Sequence, residues 1–378
     1  LLDLTGQGRS LLQLTLDRLA PLADRPPIVV TGRAHVAAVR EQLEEDVRVL
    51  AEPSARNSMP AIALAAAHVE RESPDAVIGS FAADHLVGDE ETFRACVREA
   101  VAVARTGKLV TIGIEPTRPA TGFGYIRLGE ALQVPGAPSA HAVRAFHEKP
   151  HAARAERFLA EGGYRWNAGM FVVKATVLLD LLAREHPDMV ESLTTIAADD
   201  DLRRLDDLWA PLTKIAIDHA VAEPAAATGD VACVPGDFPW DDVGDFGSLG
   251  AVLGRLGAGR EVDGLVTTGA GEVIGEDATG FVMTSKGRTV VTMGLDDVVV
   301  VDTPDAVLVT TRERAQDVKG IVARRAPSGL ALARDQRYDE LLHPESPDKV
   351  HQHEICHRNS RKYGTIPYYL NFKKVHID

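Results

Sequence analysis

Apolar positions along the first two-thirds of the chain follow two alternating rhythms. Short runs of aliphatic and β-branched residues predict strands at 28–30, 47–50, 76–82 and 109–114, whereas amphipathic spacing predicts helices at 11–19, 35–45, 60–70 and 90–105. That alternation predicts an α/β fold, a Rossmann-like and mostly parallel sheet with helices on both faces. Ligands of such sheets gather at the carboxyl ends of the strands. After about Gly259 the rhythm changes to short β runs cut by glycines, at 273–274, 281–283, 290–291 and 298–301, with a helix predicted at 312–323. A smaller β-rich unit follows from that spacing. The expected organisation is therefore 1–258 for the α/β domain, 259–344 for the β-rich domain with its helix, and 345–378 for an atypical tail where Lys, Tyr and Asn usage rises.

Composition narrows the function classes. The chain has 378 residues, 45% hydrophobic and 25% charged, with a net charge of −14. That acidity disfavours general binding to a phosphate backbone while leaving room for a local cationic pocket. No apolar run approaches the roughly 20 residues of a membrane helix. Cys96, Cys233 and Cys356 have no paired spacing, which argues against a disulfide framework or structural zinc and for a reducing, cytoplasmic setting.

Several features are better explained by structure than by chemistry. Gly269-Ala270-Gly271-Glu272-Val273-Ile274-Gly275 has its third glycine one residue late for a dinucleotide fingerprint, and no helix follows, so these are expected to be turn glycines. Gly6-Gln7-Gly8-Arg9-Ser10 lacks the Lys-Ser/Thr ending of a phosphate loop, and Ser10 suits a helix N-cap. Asp199, Asp200, Asp201, Asp206 and Asp207 lie beside Arg203 and Arg204, as on a solvated helical face. His351, His353, Cys356 and His357 lack a metal-ligand spacing.

Four segments carry chemistry in order. They are Phe81-Ala82-Ala83-Asp84-His85, Phe146-His147-Glu148-Lys149-Pro150, Trp166-Asn167-Ala168-Gly169-Met170-Phe171 and Phe238-Pro239-Trp240-Asp241-Asp242-Val243-Gly244. Two carboxylates, Asp84 and Asp242, suit a divalent metal held among phosphates, and Lys149 suits a phosphate charge. Two further segments, Glu52-Pro53-Ser54-Ala55-Arg56-Asn57 and Pro116-Thr117-Arg118-Pro119-Ala120-Thr121-Gly122-Phe123-Gly124-Tyr125-Ile126, complete a set that resembles the sugar-1-phosphate nucleotidyltransferases. Within them it is similar to the mannose-1-phosphate guanylyltransferases, closely over 10–249 and more loosely over 262–325.

The resemblance implies GMP transfer from GTP to mannose 1-phosphate, giving GDP-mannose and pyrophosphate without a covalent enzyme intermediate. It implies Mg²⁺ on Asp84 and Asp242, with Lys149 as the third catalytic group. Glu52, Arg56, Asn57 and Asp84 would bind the nucleotide, and Gly122, Gly124, Tyr125, Glu148, Lys149 and Asn167 the sugar, with Asp218 in support. It further implies a left-handed β-helix-like second domain and a homodimer formed through it. A Gly-rich loop with an Arg, followed by Pro-Lys, is expected ahead of 1–19 to cradle the triphosphate, and a molecule lacking it is expected to transfer poorly. Two other readings are an enzyme for a different sugar 1-phosphate or nucleoside triphosphate, and a non-catalytic nucleotide-sugar-binding protein on the same fold.

Overall fold

A computed structural model describes residues 9–44, 46–257, 259–285, 287–303, 306–318, 321 and 373–376. The chain runs through α1 (Leu11–Leu19), β1 (Ile28–Gly32), α2 (Val36–Arg40), β2 (Arg48–Glu52), α3 (Ser58–Glu72), β3 (Val77–Ala82), β4 (Leu86–Val87), α4 (Glu90–Ala104) and β5 (Leu109–Ile114). Next come β6 (Tyr125–Ala131), β7 (His141–His147), α5 (Ala152–Glu161), β8 (Tyr164–Lys174), α6 (Ala175–Ala183), α7 (Pro187–Ala198) and α8 (Leu205–Trp209). A π-helical turn, Asp218–Ala222, runs into α9 (Glu223–Ala227), then β9 (Val231–Gly236), β10 (Trp240–Asp241) and α10 (Phe246–Leu256). Short strands follow: β11 (Arg260–Val262), β12 (Leu265–Gly269), β13 (Glu272–Glu276), β14 (Gly280–Thr284), β15 (Thr289–Met293), β16 (Val298–Asp302) and β17 (Val307–Thr311), with β18 (Lys373–His376) near the end.

Packing divides the chain into two units. One is built on Leu12–Trp240 together with β18, the other on the residues from Asp241 onward. The division precedes the composition change near Gly259 because α10 buries Leu249 and Leu253 against Phe281, Val299 and Val301 of the β-rich unit. Gly250 permits that contact, since a Cβ there would lie 2.5 Å from the Cβ of Phe281.

The first unit centres on a sheet of order β18-β3-β8-β5-β9-β7-β6. Its α/β class is as expected, but the sheet is mixed rather than mostly parallel. β5 pairs parallel with β9, while β8 runs antiparallel between β3 and β5, and β6 and β7 are antiparallel neighbours. Because β3 and β5 both oppose β8, they run parallel to each other and their carboxyl ends share an edge. β1 and β2 form a separate parallel pair. Side-chain alternation along β8 sends Phe171 and Val173 into one core, with α3, α6 and α7, and sends Trp166, Met170 and Val172 into another, with α4. Helices therefore cover both faces, and removing one of these large side chains should cost about 3–5 kcal/mol.

Local sequence explains the helices. In α4, Phe93, Cys96, Val97, Ala100, Val101 and Ala104 form one buried stripe at helical spacing. Asp89 caps its start by accepting from Thr92 N at 3.1 Å, and Glu90 pairs with Arg94 on the outer face at 2.7 Å. The expected helix over 35–45 is much shorter, because only Val39 of α2 is buried and the following amides close three-residue turns such as Gln42 N to Val39 O. A helix with so little buried area has weak support from packing.

β18 pairs antiparallel with β3 at Lys373↔Ala82 and His376↔Ile78, so part of 345–378 joins the first unit. All six residues of β3 are buried, and an unpaired edge there would leave backbone donors and acceptors unsatisfied. The histidines at 351, 353 and 357 and Cys356 lie outside the described residues.

In the β-rich unit, β12, β14 and β16 pair parallel in succession, Leu265↔Gly280↔Val298, while β13 and β15 form a second parallel pair. Each passage of the chain thus adds one strand to each of two sheets, as in a β-solenoid, with β11 and β17 antiparallel at the margins of the larger sheet. The glycines of 269–275 serve this geometry: Gly269 has φ +95° and its absent Cβ would meet Thr284 O. The predicted helix at 312–323 begins as a 3₁₀ segment over Arg312–Asp317, Val318 and Ile321 are α-helical, and 319–320 and 322–323 lie outside the described residues.

Candidate active site

The groups expected at the sugar converge within the first unit. In β8 the register slips, so that Thr111 of β5 faces Phe171 but Gly113 faces Asn167. The extra β8 residues bulge at Gly169, whose φ of +67° suits glycine. This bulge presents Asn167, which is buried and held at both ends of its amide. Its Oδ1 accepts from Thr111 Oγ1 at 2.8 Å and Gly169 N at 3.1 Å, its Nδ2 donates to Asp218 Oδ1 at 2.7 Å, and its backbone N–H donates to Gly124 O at 2.8 Å.

Gly124 is needed for closeness. A Cβ there would stand 2.6 Å from Glu148 Oε2 and 3.3 Å from Asn167 Cβ. Glu148 is mostly buried, and its carboxyl is held above its ordinary range by burial first and by the charge of Asp218 second. Lys149 opposes that shift with an ion pair of 2.8 Å from Nζ to Glu148 Oε1, while most of its own side chain stays exposed. Its backbone has φ +42°, an uncommon conformation for a side-chain-bearing residue, at the corner ahead of Pro150. Gly122 lies exposed in the loop before β6. The side chain of Tyr125 is fully buried and its hydroxyl donates to Arg118 O at 3.4 Å, which braces the loop before β6.

The residues expected on the nucleotide side run from the end of β2 to the start of α3. Glu52 is 7% exposed, and burial pushes its carboxyl up to about 7. Arg56 donates from Nη2 to Ala210 O, and its backbone carbonyl accepts from Ile215 N at 3.2 Å. Trp209 Nε1 donates to Ser54 O at 2.8 Å, and Ile217 N donates to Ser58 Oγ at 3.0 Å. This lacing ties the 52–59 segment to 209–217, which leads directly to Asp218. Asn57 has φ +67° and spends Oδ1 on capping Ser58 N at 2.8 Å.

Asp84 is half-buried in the turn that ends β3. Asp242 is half-buried in the loop between β10 and α10, in the other unit, where Val243 N donates to Asp241 Oδ1 at 2.9 Å. Among the described residues no group of three or more His, Cys, Asp or Glu side chains could enclose a metal ion. The aspartates at 200, 201 and 206 instead pair with Arg71, Arg203 and Arg33 at 2.6–2.8 Å.

Sequence reasoning missed an aromatic strip beneath the site. Trp166, Phe123, Trp240 and His85 follow one another with centroid separations of 5.0, 5.2 and 5.4 Å, and Arg118 lies over Phe123 and Trp166. Each ring adjoins a quoted motif residue, namely Asn167, Gly124, Asp241 or Asp84, yet no spacing reveals that they meet. Thr111, His219 and Glu223 were also missed; they are scattered polar residues without a periodic signal.

Comparison with known proteins identifies relatives for both units. A family described as nucleotidyl transferase matches residues 2–255, and a MannoseP isomerase/GMP-like beta-helix domain matches 271–324. The chain is 39% identical over 341 residues to the xanthan biosynthesis protein XanB of Xanthomonas campestris pv. campestris (strain B100), covering 88% of this chain and 69% of that protein. It is 36% identical over 347 residues to the mannose-1-phosphate guanylyltransferase of Escherichia coli (strain K12), covering 89% and 69% respectively. The crystal structure described as a mannose-1-phosphate geranyltransferase from Thermus thermophilus superposes with a TM-score of 0.72 at 32% identity, over 84% of this chain and 90% of that one. With two-thirds of its length inside that first match and its site residues gathered on the matched segment, the chain belongs to the nucleotidyl transferase family.

Proposed function

We propose that the protein transfers GMP from GTP to mannose 1-phosphate, releasing pyrophosphate. The observation that carries this reading is the cluster of Gly124, Glu148, Lys149 and Asn167, in which one exposed cation and two hydrogen-bonding side chains border a backbone approach kept open by glycine. The names of the relatives supply the sugar and the base. A phosphate oxygen of the sugar attacks the α-phosphorus of GTP in line, the bond to the β-phosphate breaks, and pyrophosphate carries away the electron pair. No side-chain nucleophile is needed, because such transfers depend mainly on positioning and on neutralising phosphate charge.

Lys149 supplies a point charge to the sugar phosphate, exchanging Glu148 for it as the sugar arrives. Glu148 and Asn167 then hydrogen-bond sugar hydroxyls, and Glu52 and Asn57 lie on the nucleotide side. Mg²⁺ fits the donor chemistry of Asp84, a hard oxygen ligand at a strand end, and such an ion keeps coordination positions for phosphate and water. Such an ion neutralises triphosphate charge when bound. Asp242 is proposed as a second acid needed for metal use. Self-association through the β-rich unit belongs to the same reading, with Ile274, Val291 and Met293 exposed on β13 and β15. No helix among the described residues is long and apolar enough to cross a membrane. The test is incubation with mannose 1-phosphate, Mg²⁺ and each of the four nucleoside triphosphates in turn. GDP-mannose and pyrophosphate should form with GTP, and a preference for another triphosphate or sugar phosphate would overturn the assignment.

A further inference from the structure

We infer that Glu223 is a positioning residue that fixes the corner from which Lys149 meets the sugar phosphate, an inference that rests on the sugar-site reading above. Glu223 opens α9 directly after the π-helical turn, and its two carboxylate oxygens face different partners. Oε1 accepts from the backbone N–H of Glu148 at 3.2 Å, and Oε2 accepts from His219 Nδ1 at 2.9 Å. Because a carboxylate only accepts, His219 carries its proton on Nδ1, and the i,i+4 pair holds the Glu223 side chain in one orientation. His147, the residue before Glu148, also feels the negative charge of Glu223.

The geometry at the corner shows why an anchor is needed. Lys149 adopts φ +42°, where its Cβ crowds the backbone, and without another constraint the chain would relax toward an ordinary conformation. The Glu148–Glu223 bond fixes the His147–Glu148 peptide, one residue ahead of that strained position. It also satisfies a partly buried amide that would otherwise be left without an acceptor. The same short segment supplies Asp218 to Asn167. Two sides of the sugar site, Asn167 on β8 and the Glu148–Lys149 corner after β7, are thus set by one stretch, Asp218–Glu223. π-Turns interrupt the usual helical spacing and occur often at functional sites.

The experiment is steady-state kinetics on the full chain bearing Glu223→Ala, Glu223→Gln or Lys149→Ala. Glu223→Ala should raise the KM for mannose 1-phosphate about tenfold, the size of one lost hydrogen bond, with the KM for GTP changed less than about twofold. Glu223→Gln keeps a carbonyl acceptor on the same stem and should recover most of the sugar affinity. If Lys149→Ala leaves the sugar KM unchanged, the site reading fails. If Lys149→Ala raises it but Glu223→Ala does not, or raises both KM values equally, or if Glu223→Gln is as impaired as Glu223→Ala, the positioning role fails. Should Glu223→Ala not fold, His219→Leu carries the test: it frees the clamp while leaving the Glu148 acceptor. It should raise the sugar KM alone by a smaller factor, and an unchanged value would overturn the inference.

Discussion

Asp218 Oδ1 accepts a 2.7 Å hydrogen bond from Asn167 Nδ2, while Asn167 Oδ1 is held by Thr111 Oγ1 at 2.8 Å. The hydroxyl of Thr111 and the carboxylate of Asp218 together fix which end of the Asn167 amide points where. Asp218→Ala therefore strands a buried amide donor, at a cost of about 1–3 kcal/mol, and permits the amide to rotate. The melting temperature should fall and the KM for mannose 1-phosphate should rise, with that for GTP less affected. Unchanged melting and unchanged sugar KM together would show that the pair is incidental.

Gly124 provides a sterically defined test of the same site. In Gly124→Ala the new methyl would sit 2.6 Å from Glu148 Oε2, the end of a side chain, and 3.3 Å from Asn167 Cβ. The carboxylate can swing away more easily than a strand can shift, so the stability loss should be small, about 1 kcal/mol. Displacing Glu148 also disturbs its 2.8 Å ion pair with Lys149, so use of mannose 1-phosphate should suffer far more than stability. A variant that melts early but keeps the parent's sugar KM would contradict this placement.

The α/β rhythm was legible because it depends on local periodicity: 76–82, 90–105 and 109–114 match β3, α4 and β5 within a residue or so. The family resemblance likewise singled out Glu148, Lys149 and Asn167, which the fold brings together around Gly124. The antiparallel insertion of β8 was not legible, because strand order is a long-range property and 164–174 has the same apolar character whichever neighbours it takes. The capping role of Asn57 was hidden for a different reason: it shows only in a φ of +67° and a bond to Ser58 N, which residue type alone does not announce. Tyr125 and the aromatic strip escaped because burial of a ring is decided by tertiary packing, which residue type alone does not specify.

Two buried groups should give opposing pH dependences to stability. Glu52 is raised from 4.5 to about 7 by burial, so its contribution is full below pH 4.5 and is lost as pH rises through about 7. His68 is lowered from 6.5 to about 4, by burial first and then by Arg48, whose Nη2 donates to His68 Nδ1 at 3.0 Å. Its contribution is full above pH 6.5 and is lost as pH falls through about 4. Each amounts at most to about 3 kcal/mol, and between pH 4.5 and 6.5 the two slopes offset each other. In urea melts over that window Glu52→Gln should become more stable as pH rises, and His68→Gln less stable. Identical slopes in the parent and both variants would refute the opposition.

Metal use is the most demanding expectation, and each aspartate can be tested alone. Asp84 lies half-buried in the turn that ends β3, and Asp242 half-buried in the loop ahead of α10. Asn in place of either keeps the size and one oxygen of the side chain but removes the charge that attracts Mg²⁺. Loss of metal-assisted charge neutralisation is worth several kcal/mol, so kcat at limiting Mg²⁺ should fall by about 10²-fold or more for each variant. Each Asn can still accept a hydrogen bond where Asp accepted one, so the melting temperature should stay within a few degrees of the parent, about 1 kcal/mol. Part of the lost turnover should return as Mg²⁺ is raised, because a weakened ligand set is filled by mass action. Near-normal turnover at limiting Mg²⁺ with unchanged metal affinity would make Asp84 and Asp242 turn-forming carboxylates only, and the phosphate charge would then have to be neutralised by cationic side chains such as Lys149.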